Sequence, residues 1–568
     1  MDGLPLALDQ AGAYIEEQFL SLEEYQELFQ AEKAELLKER GQLDPDHPSV
    51  TVTFKLAFDK VADKNAAAAD LLRVCAFLAP DEILEEIFSV GNGILGEVLN
   101  ATAQSKLALS KAIGEAARFS LISRNTQSKT LSIHRLVQDV LRAEMDEAEE
   151  RQWASGVVEA LSAIFPDPEY ENWVQCDRLV AHAQVAAQLM TDYELASETA
   201  ARLLNNTGGY FKEQGRYEET EPLLIQALEM RQQLLGQSHP HVATSLNNLA
   251  GLYRAQGRYE EAEPLLIQAL EMLQQRLGQS HPHVARSLNN LAGLYESQGR
   301  YEEAEPLFTQ ALEMYQQRLG QSHPAVALSL NNLAALYRAQ GRYEEAEPLY
   351  KQTLEMLQQL LGQSHPHVAT SLNNLAELYR TQGRYEEAEP FFTQALEMRQ
   401  QLLGQSHPAV ARSLNNLALL YRAQGRYEEA EPFFTQALEM SQQLLGQSHP
   451  EVATSLNNLA NLYQSQGRYE EAEPLLIRAL EMSQQLLGQN HPDVAQSLNN
   501  LALLYYAQGR YEEAEPLLTQ ALAICEQSLG SGYPNTQTTK RNLQRLLVGK
   551  KVSSFFRPIA NFFRKGTG

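Results

Sequence analysis

Between residues 200 and 533 the apolar positions fall in one pattern that returns every 42 residues. Leu246, Leu249, Ala250 and Tyr253 stand at i, i+3, i+4 and i+7, and Ala262, Leu266, Ala269, Leu273 and Leu277 continue the rhythm. That is the spacing of helices that bury one face. Each block therefore predicts two helices, A over 240–255 and B over 259–277, turned at Gln256-Gly257-Arg258. The Gly-Arg-Tyr triplet places its glycine at 215, 257, 299, 341, 383, 425, 467 and 509 without an insertion. A fixed period in this range means stacked units. The punctuation agrees. Pro240 stands where a helix can lose an N–H at no cost, and Gly257 and Gly278 can end helices by a left-handed turn. Glu260, Glu261 and Glu263 crowd the start of helix B, where the helix dipole favours negative charge. Pro264, a few residues in, removes one early hydrogen bond and is expected to bend helix B slightly. The predicted class is all-α, an α-solenoid of eight helix-turn-helix repeats.

At Leu246, Leu249, Ala250, Tyr253, Ala262, Leu266 and Ala269 the block resembles the tetratricopeptide-repeat family, whose spaced large and small positions these residues match. The usual unit is about 34 residues, so this one is longer, at the end of helix B and the following loop. With its Tyr-Glu-Glu-Ala-Glu-Pro-Leu and Leu-Gly-Gln-Ser-His-Pro strings it looks most like the kinesin-light-chain type of repeat. The resemblance spans about 200–548. It implies a scaffold whose concave face is built from the A helices and binds a protein or peptide.

Ahead of the repeats, residues 1–40 read as two helices, the second opened by the capping box Ser21-Leu22-Glu23-Glu24. Leu43-Asp44-Pro45-Asp46-His47-Pro48 reads as a linker or turn. Residues 65–79 and 81–90 are apolar and predicted helical, broken at Pro80. Phe119-Ser120-Leu121-Ile122 and Thr130-Leu131-Ser132-Ile133 flank Asn125-Thr126-Gln127-Ser128-Lys129, a hairpin signal, and a helix is predicted over 134–150. The expected domains are a helical end of a nucleotide-binding module (1–49), a small winged-helix-like α+β domain (50–146) and a helical linker and cap (147–199). The repeats (200–533), a capping helix (534–548) and a basic aromatic tail (549–568) follow. Trp153 and Trp173 are read as packing residues that seal the solenoid's end.

Gly3-Leu4-Pro5-Leu6-Ala7 and Ile133-His134-Arg135-Leu136 resemble motifs of NB-ARC-type signalling ATPases, the second lying where their winged helix carries a Met-His-Asp-like sequence. That resemblance implies an adenine contact for Pro5 and a phosphate-sensing role for His134. Arg135 stands where the family has Asp, and no Gly-x-x-x-x-Gly-Lys-Ser/Thr phosphate loop occurs. The expectation is thus a truncated or degenerate module with no cofactor, ADP or ATP entering only if an upstream module supplies the phosphate site. On this reading His134 is a hydrogen-bonded histidine at a strand-to-helix junction. The alternative is the sensor half of a nucleotide-switched ATPase.

Composition narrows the classes. The net charge of −26 argues against a nucleic-acid partner, a DNA-reading winged helix included. Cys75, Cys176 and Cys525 lack paired spacing, arguing against disulfides and zinc. With neither a signal-peptide pattern nor a long apolar run, a cytoplasmic location is expected. Gly91-Asn92-Gly93-Ile94-Leu95-Gly96 matches a dinucleotide fingerprint formally but lacks the βαβ setting, so it reads as a loop. His239, His281, His323, His365, His407, His449 and His491 form a ladder, with added histidines at 241, 283 and 367. Their repeat spacing is too wide to share one metal, so they read as loop histidines before helix-opening prolines. No nucleophile is marked by a neighbouring base, and the chain reads as a non-enzyme.

The expected ligand surface is the exposed face of the A helices. Asn-Asn occurs in every block, although Asn is a poor mid-helix residue. Either it forms a ladder between neighbouring helices or its amides grip a peptide backbone, and one Asn facing each way allows both. The candidate peptide-binding residues are Arg202, Asn205, Lys212, Asn247, Arg254, Arg286, Asn289, Asn331, Arg338, Asn373, Arg380, Arg412, Asn415, Arg422, Asn457 and Asn499. An arginine row in an acidic protein points to an extended acidic segment, held most tightly over the central repeats. The opposing reading is arginines that balance nearby Glu. The tail interleaves Phe555-Phe556-Arg557-Pro558 and Phe562-Phe563-Arg564-Lys565. A disordered, solubilising end is preferred for it over contact of 550–568 with an anionic membrane.

Overall fold

The computed structural model describes residues 12–16, 18–28, 48–89 and 94–565, with side chains described except at 48–51 and 552–565. Pro5, most of the 43–48 linker and Gly91–Gly93 lie outside these residues. The chain divides into two compact units, residues 1–213 with 222–236, and residues 214–221 with 237–568.

The first unit holds α1 (Pro48–Lys64), α2 (Ala66–Cys75), β1 (Ile83–Leu84), α3 (Glu97–Ala103), α4 (Lys106–Arg118), β2 (Ile122–Asn125), β3 (Thr130–Ile133), α5 (Arg135–Ala143), α6 (Glu147–Ile164), α7 (Trp173–Asp192) and α8 (Glu198–Glu213). The expected hairpin is present, but its first strand is Ile122–Asn125 rather than 119–122; Ile122 stands opposite Ile133, and β1 adds a third antiparallel strand in the order β1-β3-β2. Helices followed by this small sheet give a winged-helix-like fold.

Two expectations fail here. Residues 81–90 are not a helix but β1 and a short 3-10 turn over Glu85–Ser89. Sheet pairing wins because the Glu85 carboxylate takes two bonds from Arg124 of β2, at 2.7 and 3.0 Å. The helix expected over 134–150 is two, because Asp146 forms a capping box with Glu149 and starts α6 afresh. The box at Ser21 and Glu24 is formed as expected. Side chains of α5 stitch it to the end of α2: Gln138 donates to the Cys75 and Leu78 carbonyls at 2.8 Å, and Arg142 to that of Ala76. Trp173 packs edge-on against Tyr170 and Tyr210, and the Trp153 ring lies under Arg73.

Helix α9 (Tyr217–Leu235) is divided between the units. In the second unit A and B helices alternate as predicted: α10 (Pro240–Ala255), α11 (Tyr259–Leu277), α12 (Pro282–Ser297), α13 (Tyr301–Leu319), α14 (Pro324–Ala339), α15 (Tyr343–Leu361), α16 (Pro366–Thr381) and α17 (Tyr385–Leu403). They continue through α18 (Pro408–Ala423), α19 (Tyr427–Leu445), α20 (Pro450–Ser465), α21 (Tyr469–Leu487), α22 (Pro492–Ala507) and α23 (Tyr511–Leu529) to α24 (Pro534–Lys565). Consecutive A helices approach one another more closely than consecutive B helices, so the stack curves toward the A side. Leu246, Leu249, Ala250 and Leu252 of α10 are 5% exposed or less, each large side chain contributing roughly 1.5–3 kcal/mol by burial.

The A-to-B turn is a Schellman motif. Gly257 takes a φ of +69°, and the Arg258 N–H donates back to the Tyr253 carbonyl at 2.8 Å. Arg258 then lies 4.0 Å over the Tyr253 ring, binds Glu221 of the preceding B helix and forks onto Glu261. The arrangement returns at Arg300, Arg342, Arg384, Arg426, Arg468 and Arg510. The early glutamates of each B helix thus serve ion pairs between repeats as well as the dipole. The ladder histidines are N-caps: Nδ1 of His239, His281, His323, His365, His407, His449 and His491 accepts the N–H two residues on. At the C-terminus the capping helix does not stop at Gly549 but runs to Lys565, so the tail expected to be disordered continues as helix.

Candidate peptide-binding groove

The inner face of the second unit is tied together by its asparagines. The second Asn of one block donates to the first Asn of the block before: Asn290 to Asn247, Asn374 to Asn331, Asn416 to Asn373 and Asn458 to Asn415, at 2.8–2.9 Å. Asn542 of α24 extends the series to Asn499, so the last helix joins the array as an eighth inner helix of the second unit. The ladder occupies the amide oxygens of Asn247, Asn331, Asn373, Asn415, Asn457 and Asn499. Asn247 and Asn457 spend their N–H groups on the carbonyl four residues back, and Asn289 on Ser329. Asn331, Asn373 and Asn415 are half-buried and, among the described residues, have no acceptor on their Nδ2. Asn457 and Asn499 are 9% and 7% exposed and belong to the wall.

The arginines are not equivalent. Arg254 and Arg338 flank the mostly buried Glu296, and Arg338 also reaches Glu377 at 3.6 Å. Arg380 is forked onto Glu377 at 2.6 and 2.8 Å. Arg412 reaches Glu451 in the next repeat at 2.6 Å. Among the described residues no ion pair engages Arg286 or Arg422. Burial, and then the like charge of Arg380, push the Arg422 guanidinium below its ordinary pKa.

Sequence reasoning missed two groups. Glu377 stands where neighbouring blocks have Gly251, Gly293 and Ala335. Arg399 occupies a floor column filled in the other blocks by Arg231, Leu273, Tyr315, Leu357, Ser441, Ser483 and Cys525, a buried column in which an arginine was itself the signal. Arg399 is 5% exposed and donates to neutral acceptors, Ser413 Oγ at 2.7 Å, Thr370 Oγ1 at 3.2 Å and the Ala409 carbonyl at 3.3 Å. Desolvation, then the charge of Arg412, push its pKa down to about 10. Next to it, sharing Thr370, is an apolar cavity of about 250 Å³ lined by Ala325, Leu328, Asn331, Leu357 and His367. On their inner face, repeats 4–6 thus combine an apolar recess, unused amide donors and more arginines than the carboxylates that pair with them.

Three candidates lie in the first unit. Arg202 donates to the Ser162 carbonyl, Asn205 to that of Ala201, and Lys212 pairs with Glu213. His134 sits at the junction of β3 and α5, where its Nδ1 caps α5 through the Leu136 N–H at 3.2 Å. A cavity of about 580 Å³ lies beside it, lined also by Pro80, Ser132 and Arg135. Among the described residues no group of three metal-ligating side chains occurs, and no helix is long and apolar enough to cross a membrane.

A family described as a domain of unknown function (DUF7779) matches residues 57–150. A nucleotide-binding leucine-rich repeat (NLR)-like protein of Hyaloscypha variabilis is 37% identical over 251 residues, 42% of this chain and 24% of the relative. The chain therefore matches about a quarter of that relative's length. Among solved structures, the nearly identical TPR-like repeats of a kinesin light chain candidate from Podosopora anserina are 29% identical, covering 36% of this chain and 97% of that one at a TM-score of 0.31. The signal transduction ATPase with numerous domains (STAND) that carries a tetratricopeptide-repeat sensor, from Pyrococcus horikoshii, is 16% identical, covering 85% and 73% at a TM-score of 0.36. The tetratricopeptide-repeat family model matches residues 199–275, 246–317, 283–359, 325–401, 367–443 and 451–527. Those matches cover more than half of the chain, and with the helix pairs, glycine turns and tiled inner face they place it in one family: this is a tetratricopeptide-repeat protein.

Proposed function

We propose that this interaction scaffold binds an extended acidic peptide segment along the inner helices of repeats 4–6, without chemistry of its own. The observation that carries the reading is a group of cations, Arg380, Arg399, Arg412 and Arg422, of which, among the described residues, only Arg380 and Arg412 have carboxylate partners, Glu377 and Glu451. Buried cations without counter-ions are costly, and a ligand carboxylate offsets that cost. The Nδ2 groups of Asn331, Asn373 and Asn415 are donors for a peptide backbone, and the recess at Leu328 suits an apolar ligand side chain. A cytoplasmic setting belongs to the same reading. The test is fluorescence anisotropy with a fluorescein-labelled peptide of alternating Glu and Gly, against a Gln-Gly control. Binding should favour the acidic peptide, weaken as salt rises and fall at least tenfold in the Arg412→Glu, Arg422→Glu double variant. Equal affinity for the two peptides overturns the reading.

A second reading, a nucleotide-sensing end, rests on the cavity beside His134. Heat released on titrating ADP into the chain, and lost in His134→Ala, would favour it.

A further inference from the structure

The second unit touches itself one winding later. A Cβ built on Gly215 would lie 2.8 Å from Pro450, and one on Gly257 would lie 2.9 Å from Pro492 and 3.0 Å from His491. One on Gly299 would enter the Tyr533 ring. The offsets are 235, 235 and 234 residues, about 5.6 blocks of 42. Three contacts at one offset are a property of the stacking, each repeat adding the same small rotation. They join opposite edges of the ribbon of helices: the A-to-B turns of an early stretch meet the B-to-A loops of a later one.

The contact is specific. His491 Nδ1 accepts the Asp493 N–H at 3.0 Å, which leaves Nε2–H to donate to the Ala255 carbonyl at 3.1 Å, near the C-terminal end of α10. His491 is 8% exposed. Tyr533 lies with its ring centroid 6.4 Å from that of Tyr301. By contrast, a Cβ at Gly341, Gly383, Gly425, Gly467 or Gly509 would meet nothing within 4 Å. Early turns are filled and later ones open.

We propose that this seam is a clasp: it holds the repeats in their wound state and so sets the curvature of the groove. The wound state is the one that arrays the inner arginines and amide donors for a ligand. The clasp therefore regulates the acidic-peptide site, and this part of the inference rests on that reading. Opening the seam lowers ligand affinity by removing preorganisation, and a bound ligand tightens the seam by the same factor.

The glycines provide a matched test. Gly257→Ala with Gly299→Ala places methyl groups in the seam. Gly383→Ala with Gly425→Ala imposes the same positive-φ strain, φ being +69° and +72° in one pair and +76° in both members of the other, with no seam contact. Small-angle scattering should show a maximum dimension larger by about 10 Å, one interhelix spacing, in the first pair only. His491→Asn with Tyr533→Ala provides a second route, because Asn keeps the N-cap while the reach to Ala255 is lost. Anisotropy with the Glu-Gly peptide should then show about a tenfold weakening in the seam variants, as when the competent population drops to a tenth. Unchanged dimensions in both seam variants overturn the clasp. An expanded chain with undiminished affinity overturns its control of the groove. Should the wild-type chain ignore the peptide, the acidic-ligand reading fails, and the scattering comparison alone decides the clasp.

Discussion

Arg399 is a side chain costly to the fold and, on the proposed reading, useful to a ligand. Its guanidinium is nearly buried, finds hydroxyl and carbonyl acceptors, and is depressed in pKa to about 10 by desolvation. A leucine fills the equivalent place at Leu357, and Thr370 can still donate to the Pro366 carbonyl when the arginine is gone. Arg399→Leu should therefore raise stability by about 1–3 kcal/mol, read as the urea midpoint, while weakening the Glu-Gly peptide at least fivefold. A variant that loses stability would mean that the arginine is structural. This residue was legible only as an anomaly, because periodicity assigns its column to the core and says nothing of a charge there. The groove arginines were legible as a row, but not their pairing with Glu296, Glu377 and Glu451. Side-chain reach across repeats decides that pairing, and no spacing rule contains it.

At the scale of helices, the His-Pro starts make stability depend on pH. Each cap needs an unprotonated Nδ1 as acceptor. Burial, followed by the charge of His367, lowers the pKa of His365. Burial also lowers that of His491, against the opposing pull of Asp493. A folded state that binds the proton less readily than the unfolded chain is favoured above the ordinary imidazole value of 6.5 and loses that contribution as pH falls below it. Urea midpoints should thus decline between pH 7.5 and 5.5, and His365→Asn with His491→Asn, which keeps both caps, should flatten the slope. A slope unchanged in the double variant would assign it to other groups. The carboxylates act in a separate window. Glu303 is held low by the side-chain bond from Arg300, and Glu305 by that from Arg342. Their contribution is present above the ordinary value of 4.5 and is lost as pH falls through the depressed ones. Helix boundaries in the repeats were legible because proline, histidine and glycine mark both ends chemically. Residues 81–90 and 134–150 were not, because a strand partner and a capping box within an apolar run decide them.

At the scale of the molecule, periodicity announced a solenoid and the family resemblance implied a concave face on the A helices, but neither announced that the ribbon would meet its own edge. That depends on a small rotation summed over more than five repeats, which no residue encodes singly. The contact offset supplies a test of the geometry. Removing the block 341–382 should leave seven repeats that still wind, with Pro492 now over Gly215 and Tyr533 over Gly257. One of the three contacts is lost, helical content per residue by circular dichroism stays the same, and the scattering profile remains that of a clasped particle. An unwound profile would show that the seam depends on particular partners. The constant offset has a consequence for descent: near-identical blocks recombine readily, and an array whose fastening is counted in blocks can gain or shed one without having to invent a new way to close.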